Sequence, residues 1–308
     1  MGGVIEVEGL RKEFRKLRHG RTTALAGLDL EVPEGGVFGF LGPNGAGKTT
    51  MIRCLLGLVR PGAGRVRLLG ADVPGSLASS IGQVGSIVEQ PLLFPRMTGR
   101  RNLEILARVH GIGPSTVDAV LDRVGLSERQ GDMAKTYSLG MKQRLGIAAA
   151  LLKDPSLLIL DEPANGLDPA GIVQVRELIR SLGSEGRTVF ISSHILSEVQ
   201  QIADRVAIIA RGRLITQGSV ADVVSAAAGS AGMVARVPDP AAAILHLATA
   251  QIQARALGDT IHVDVEPERG ADITRLLAEQ GIYLSELRRV AVDLESVFLE
   301  LTKDEGLA

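Results

Sequence analysis

Continuous apolar runs alternate with helix-like patterns along the first two thirds of the chain. Residues 37–41, 157–160 and 188–191 are three such runs, and residues 4–7 alternate apolar with charged positions, which predicts an edge strand. After the first run, apolar residues at 52, 55, 56 and 59 form one helix face, which we expect to continue until Pro61 and Gly62. The alternation predicts an α/β core with a mostly parallel sheet, a peripheral antiparallel part and a helical part.

The pattern changes after Val224. Residues 225–232 are almost entirely alanine, glycine and serine, which predicts a linker. Beyond the linker we predict a strand, a helix, a hairpin, a second helix, a strand and a closing helix, the order of a split βαβ, ferredoxin-like module. We therefore expect a first domain at 1–224, with a helical subdomain at about 96–153, and a small α+β domain at 233–308 without catalytic groups.

A glycine-rich stretch joins the first apolar run to the helix that follows. It matches the pattern G-x-x-x-x-G-K-[ST] at every fixed position. Glycines let the backbone turn its N–H groups towards phosphate oxygens, and the helix start adds partial positive charge. The pattern thus predicts a phosphate-binding loop, although it does not choose between a kinase, a GTPase and an ATPase. Its residues are Gly42, Pro43, Asn44, Gly45, Ala46, Gly47, Lys48, Thr49 and Thr50.

Charged side chains follow two of the apolar strands. Asp161 and Glu162 end the run at 157–160, and His194 follows the run at 188–191. Ligands of parallel sheets bind at such strand ends. We expect Lys48 to reach the phosphates and the Thr49 hydroxyl to bind Mg²⁺. We expect Asp161 to hold the same Mg²⁺ and Glu162 to polarise an attacking water. The neutral imidazole of His194 could bond a γ-phosphate oxygen or that water.

Two further helix starts carry good capping residues. Ser138 precedes a helix with Gly140 nearby, so this start can also hold an anion. Asp168 and Pro169 occupy the cap and first positions of another helix. Phe14 precedes a basic run, Arg15 to Arg21, which fits a solvated hairpin loop. Phe14 could stack on a purine ring or be a half-buried strand residue.

Composition adds little to the functional prediction. The chain has 308 residues, 45% of them hydrophobic, and a net charge of −1, so no broad basic surface argues for nucleic acid. The single cysteine, Cys54, excludes an intramolecular disulfide and fits a small core residue in a reducing cytoplasm. We expect neither a signal peptide nor a membrane-spanning segment.

Taken in order, these motifs resemble those of the ATP-binding-cassette (ABC) ATPases over roughly residues 4–224. The stretches that begin at Tyr137 and Asp161 are similar to the branch that exports drugs and peptide antibiotics, as in bacitracin, lantibiotic or anthracycline resistance. The resemblance implies a P-loop ATPase fold, followed by the small domain that many members carry. It also implies ATP and Mg²⁺ as cofactors.

Individual roles are carried over by position. The resemblance implies that Phe14 stacks on adenine, that Asp161 is the magnesium residue, that Glu162 is the catalytic base and that His194 is the switch histidine. The family's magnesium-contacting glutamine usually lies six residues before a loop proline. Counting back from Pro95 gives Glu89, with Gln90 as the alternative.

The signature motif implies a dimer. In the family, the signature residues, here Ser138 and Gly140, contact the ATP held by the other protomer, and Asp168 lies in the loop that crosses the dimer. The start of the Ser138 helix is an anion site without its own lysine, so it can complete a site whose Lys48 lies elsewhere. The chain departs from the common signature Leu-Ser-Gly-Gly-Gln at Tyr137, Leu139 and Met141.

We therefore predict an ATPase subunit, dimeric around two Mg-ATP molecules, that energises a separate transmembrane permease from the cytoplasmic face of the plasma membrane. The loop from Glu89 to Thr98 would carry motion to that partner. The alternatives are a soluble ABC ATPase that acts on ribosomes or DNA, and an ATP-sensing regulator. Neither a second cassette nor a long coiled coil is present, and Glu162 and His194 favour hydrolysis over sensing.

Overall fold

The structure is a computed structural model that describes residues 2–16, 20–227, 232–266, 269–289 and 293–302. It divides into two compact units, Met1–Val220 and Ala221–Ala308. Within the described residues, no helix is both long enough and apolar enough to cross a lipid bilayer.

In the part of the first unit that the structure describes, ten strands form two sheets. Strands β10-β9-β3-β8-β7-β6 form a six-stranded sheet, and β2-β1-β4-β5 form a four-stranded one. In chain order the strands are β1 (Ile5–Lys16), β2 (Gly20–Val32), β3 (Gly36–Leu41), β4 (Ala63–Leu68), β5 (Ala71–Asp72), β6 (Val84–Ile87), β7 (Leu157–Asp161), β8 (Thr188–Ser193), β9 (Arg205–Ala210) and β10 (Arg213–Ser219).

The six-stranded sheet confirms the predicted parallel core. All of its neighbours run parallel except β10, which pairs antiparallel with β9. Strands β7 and β8 are buried along their whole length, as expected of strands covered on both faces. The Phe190 ring stacks on Phe38 with centroids 5.8 Å apart and meets Phe40 at 5.5 Å. These contacts fix β8 beside β3, so the ends of β3, β7 and β8 lie at one edge of the sheet.

The four-stranded sheet corrects one prediction. Strand β1 was expected at an edge, yet it pairs antiparallel with β2 on one side and β4 on the other. Its alternating pattern arises because one face packs on the core, where Ile5 and Val7 are buried, while the other face is polar. Arg18 and His19 of the basic run lie outside the described residues, and Arg15 and Arg21 face each other across the β1–β2 pair.

Among the described residues of the first unit, six segments are α-helices that end within it. They are α1 (Lys48–Leu55), α2 (Gly99–Val109), α3 (Pro114–Arg123), α4 (Leu139–Leu151), α5 (Pro169–Ser184) and α6 (Leu196–Gln200). Helix α1 ends earlier than its apolar pattern predicts, because Gly57 has a φ of 68° and the chain turns there. Both predicted caps form: the Ser138 hydroxyl accepts a bond from Met141 N, and Asp168 accepts one from Gly171 N.

The second unit has the predicted ferredoxin-like order. It contains β11 (Met233–Arg236), α8 (Pro240–Thr249), β12 (Ala254–Leu257), β13 (Thr260–Val263), α9 (Gly270–Ala278), β14 (Glu286–Arg289) and α10 (Leu294–Thr302), after α7 (Val220–Ala227). Its sheet order is β12-β13-β11-β14, antiparallel throughout. The linker predicted at 225–232 begins inside α7, since alanines favour a helix, and residues 228–231 lie outside the described residues.

Candidate active site

Backbone groups of neighbouring segments hold the glycine-rich loop in place. Gly42 N donates to Ser193 O at 3.3 Å, and Ala46 O accepts a bond from Gly212 N at 2.9 Å. A Cβ at Gly42 would lie 2.4 Å from Ile209 O, and one at Gly47, whose φ is 109°, would lie 2.5 Å from Ala24 O. The loop therefore requires glycine at both positions, because the packed sheet leaves no space for a side chain.

Helix α1 begins directly after this loop and is left open for an anion. Gly47 is its N-cap, with no side-chain cap bond, and its first turn has no acidic residue. The first amides of an α-helix have no partners within the helix, and they carry partial positive charge. Lys48, Thr49 and Thr50 form this first turn, so the backbone and the predicted side chains converge on one place.

The Lys48 ammonium is buried and fully engaged. Its Nζ donates to Gly42 O at 2.7 Å and to Pro43 O at 3.3 Å, and lies 3.1 Å from Glu162 Oε1. The side chain is only 5% exposed. A buried ammonium requires a compensating charge. Glu162 supplies that charge in this structure.

The Glu162 carboxylate bridges two predicted catalytic groups. Its Oε2 lies 2.7 Å from His194 Nδ1, while its Oε1 pairs with Lys48. The Glu162 backbone has a φ of 49°, a left-handed conformation that is uncommon for a residue with a Cβ. The structure thus brings together Lys48, Glu162 and His194, which lie far apart in the sequence, with Glu162 in contact with both of the others.

Asp161 lies one residue before Glu162 and has a different partner. It is buried, and its Oδ1 accepts a bond from the Ser192 hydroxyl on the neighbouring strand. The same hydroxyl accepts a bond from Glu162 N at 2.9 Å. Our sequence reasoning assigned no role to Ser192. The local signal for it was weak, because only the register of β7 against β8 places it opposite Asp161.

Glu198 is a further carboxyl group close to Glu162, and burial shifts its pKa. Glu198 lies on α6 and lines the same cavity as Glu162 and Arg176. Burial raises the pKa of the Glu198 carboxyl, electrostatic interaction with nearby His194 and Arg176 lowers it, and the Glu162 charge raises it further.

Glu89, the predicted magnesium contact, has another partner in this structure. It is exposed, has a φ of 65°, and pairs with Arg53 on α1 at 2.5 Å. Gln90, the alternative, lines a groove formed by the loop after β6, α2 and α4. The Arg53 contact was missing from the sequence reasoning, because it depends on how α1 packs beside the end of β6.

Phe14 lies near the end of β1 and is partly exposed. Lys12 Nζ lies over its ring at 5.2 Å, while the same Nζ donates to Arg60 O at 2.7 Å. This position fits both roles that we considered for Phe14. It is a partly buried strand residue, and its exposed aromatic face beside a cation can stack on a purine base.

The signature residues form a separate group with their own contacts. Ser138 caps α4 and is exposed, and a Cβ at Gly140 would lie 3.6 Å from Gly171 Cα, near the Asp168 cap. Tyr137 is buried, with its hydroxyl donating to Arg129 O at 2.7 Å, and burial raises its pKa. Tyrosine at this departure from the common signature is thus a packed, hydrogen-bonded anchor for the start of α4.

A metal would have few protein ligands at this site. Within the described residues, no cluster of three or more His, Cys, Asp or Glu side chains has the arrangement of a metal site. Mg²⁺ beside a nucleotide needs only one or two protein ligands, because phosphates and waters supply the others. Buried Asp161 fits that need, and so does Thr49 in the first turn of α1, whereas Glu89 is bound to Arg53.

Several known proteins are similar to this chain over most of its length. A family model described as "ABC transporter" matches residues 25–165. The bacitracin transport ATP-binding protein BcrA of Enterococcus faecalis is 38% identical, covering 99% of this chain and 98% of its own. The daunorubicin resistance ATP-binding protein DrrA3 of Streptomyces coeruleorubidus is 36% identical, covering 98% and 96%.

Solved structures share the fold of the first unit. CbiO1 from Clostridium perfringens, part of an ABC transporter complex, is 28% identical with a TM-score of 0.65, covering 73% of this chain and 92% of its own. The dimeric bacterial cassette MJ0796 is 22% identical with a TM-score of 0.64, covering 70% and 98%. The chain therefore belongs to the ATP-binding subunits of ABC transporters, nucleotide-binding ATPases whose hydrolysis of ATP is coupled to transport.

Proposed function

We propose that this subunit powers the export of drugs or peptide antibiotics through a separate transmembrane permease, with Glu162 as the base that activates water. The observation that carries the proposed chemistry is the Glu162 carboxylate, which lies between Lys48 Nζ and His194 Nδ1. A carboxylate in this position can accept a proton from water beside the γ-phosphate.

The reaction follows from the contacts of these residues. The γ-phosphate would replace Glu162 beside Lys48, because three phosphate oxygens offer the buried ammonium more acceptors than one carboxylate oxygen. The freed Glu162 would take the proton as the water oxygen bonds to the γ-phosphorus. The bond between the γ-phosphorus and the oxygen that links it to the β-phosphate breaks, and ADP leaves with the electron pair of that bond. His194 would hold the γ-phosphate through its imidazole.

Mg²⁺ would be held by Asp161 and Thr49. When bound, it would neutralise charge on the β- and γ-phosphates. Glu89, or alternatively Gln90, would reach this site only after the Arg53–Glu89 pair separates or the loop turns.

The exposed signature supports a dimer. Ser138 opens α4 towards solvent and has the capping geometry of an anion site without a lysine. We propose that two subunits bind two ATP molecules between them, with Phe14 stacked on adenine, and that Asp168 lies at the crossing loop. The dimeric cassette MJ0796 has this unit's fold. No nucleic acid is part of this proposal.

The loop after β6 supports a membrane partner. Leu92 is 99% exposed, and Phe94 and Leu106 are also exposed beside the groove that Gln90 lines. Exposed apolar side chains at a groove are typical of a docking surface. We propose that cytoplasmic helices of the permease bind here, which keeps the subunit at the cytoplasmic face of the plasma membrane. The full-length relatives support this over a ribosome- or DNA-acting ATPase or an ATP sensor.

The base assignment is tested with Glu162→Gln and a matched control, Glu185→Gln. Glu185 is the C-cap of α5 and pairs with Arg187 and Arg123. We expect Glu162→Gln to bind ATP normally, to lose about 100-fold or more in kcat, and to elute as an ATP-bound dimer in size-exclusion chromatography. Glu185→Gln should match the wild type. Normal hydrolysis by Glu162→Gln would refute the assignment.

The export role is tested in the source organism. We expect deletion of the gene to increase sensitivity to bacitracin-type peptides or to anthracyclines, and the wild type and Glu185→Gln to restore resistance. Glu162→Gln should fail to restore it and, with ATP, should co-purify from membranes with a six-helix-type protein. Unchanged sensitivity to both compound classes would contradict the substrate class, and recovery of the trapped dimer without a membrane protein would contradict the permease.

A further inference from the structure

Ser192 joins the two predicted site carboxylates through a single hydroxyl. It is fully buried on β8 and lies in register with Asp161 on β7. Its hydroxyl donates to Asp161 Oδ1 and accepts from Glu162 N at 2.9 Å. A hydroxyl has one donor and two acceptor positions. The donor and one acceptor are therefore committed to the last residue of the neighbouring strand and the residue that follows it.

The bond to Glu162 N supports an unusual backbone conformation. Strand β7 ends at Asp161, and Glu162 turns away with a φ of 49°. The Ser192 oxygen provides the acceptor for this amide where the strand has ended. The conformation at Glu162 sets the direction in which its side chain leaves the sheet, and that side chain reaches both Lys48 and His194.

The bond to Asp161 fixes the neighbouring carboxylate. A carboxylate has two oxygens, and Ser192 occupies Oδ1. Asp161 is itself buried, so without this donor one of its oxygens would lack a partner away from water. The same hydroxyl therefore keeps Asp161 in one orientation and leaves Oδ2 for another ligand.

The adjacent serine differs in its contacts. Ser193 Oγ accepts a bond from Ile195 N at 3.0 Å, which stabilises the turn into α6. At the opposite end of the same strand, the buried Thr188 hydroxyl accepts a bond from Gly35 N at 2.7 Å. Thr188 thus makes the same kind of bond as Ser192, a buried hydroxyl with a backbone amide, but away from the site.

We propose that Ser192 is a positioning residue for ATP hydrolysis, whose hydroxyl holds Asp161 and the left-handed backbone of Glu162 in their working orientation. The inference rests on the proposed role of Glu162 as base. It concerns the geometry of that base, whereas the Glu162→Gln experiment concerns its chemistry, so the two can fail separately.

The test compares Ser192→Ala and Ser192→Cys with Thr188→Val. Cysteine has the shape of serine with a slightly larger atom in place of the oxygen, and it is a weak donor and acceptor, so it weakens the hydrogen bonds without leaving a cavity. We expect both Ser192 variants to lose about tenfold in kcat, with the KM for ATP nearly unchanged. Thr188→Val should lose comparable thermal stability but keep kcat within about twofold.

A second measurement needs neither ATP nor metal. In nucleotide-free, ¹⁵N-labelled protein, we expect the Glu162 amide of both Ser192 variants to exchange with solvent at least about tenfold faster than in the wild type. Thr188→Val should leave that amide protected. Equal kcat in the Ser192 and Thr188 variants, full activity of Ser192→Cys, or unchanged protection of the Glu162 amide would each overturn the proposal.

Discussion

The Lys48 region and the signature region differ in how completely this chain satisfies their polar groups. In the first region, Glu162 contacts both Lys48 and His194, and Ser192 accepts a hydrogen bond from the Glu162 backbone. In the second, Ser138 is exposed, and its hydroxyl bonds only the first turn of its own helix among the contacts described. We call the Lys48 region the organised region, because its polar groups pair within the chain, and the signature region the exposed region, because it presents a helix start to solvent. The difference favours a site completed by a second subunit.

We expect the largest effect from removal of the Lys48 ammonium in the organised region. We expect Lys48→Ala to abolish ATP binding, an affinity loss of about 100-fold or more, because the phosphates lose their buried charge partner and then face Glu162. Lys153→Ala is the matched control, since its Nζ also donates to a backbone carbonyl, Ile81 O at 3.0 Å. Titration of both variants with ATP checks the prediction, and retained affinity in Lys48→Ala would contradict it.

A change at the exposed region should affect hydrolysis but leave binding intact. We expect Ser138→Ala to bind ATP as a monomer with wild-type affinity, to lose about 1 kcal/mol of stability and to lose about tenfold or more in dimer hydrolysis. Asp239→Ala removes another helix cap, on α8, and should cost stability alone.

Mixing the two impaired variants tests whether the Lys48 of one chain acts with the Ser138 of the other. In a mixed dimer of Lys48→Ala and Ser138→Ala subunits, one site combines an intact Lys48 with an intact Ser138 from the other chain. We expect the mixture to hydrolyse ATP faster than either variant alone. No recovery would indicate that the signature acts on the ATP of its own chain.

The smallest effect concerns Glu198 beside the organised region. Burial raises the pKa of this carboxyl in the folded protein. The folded state therefore binds a proton more readily than the unfolded state, and its stability falls as pH rises through the range between the two pKa values. We expect Glu198→Gln to stabilise the protein at pH 8 by less than about 1 kcal/mol and to lose this advantage at pH 4. Urea unfolding at both pH values measures it, and an equal difference at both would contradict the cause.

The sequence was most informative where one short stretch determines the structure. The caps at Ser138 and Asp168 depend on neighbours within three residues, and both formed as predicted. The order of elements in the second unit also follows from local patterns. Strand partners were harder to predict from the sequence. The alternation in residues 4–7 does not reveal that β4, some 60 residues later, pairs with β1.

The same limit applies to the candidate site. The motifs identified Lys48, Asp161, Glu162 and His194 because each follows a recognisable strand or loop pattern. Ser192 and Arg53 carry no such pattern. Their contacts depend on the register of β7 against β8 and on the packing of α1, which are properties of the folded chain.

The ion pair between Lys48 and Glu162 also bears on which anions enter the site. A small inorganic anion must compete with a carboxylate that lies 3.1 Å from the ammonium and also contacts His194. A nucleotide brings several phosphate oxygens together with a base and a sugar, so it has further contacts to offset the separation of the pair. If Glu162 is the base that we propose, free phosphate and sulfate should compete poorly for Lys48, whereas ATP would separate the pair and so free the Glu162 carboxylate.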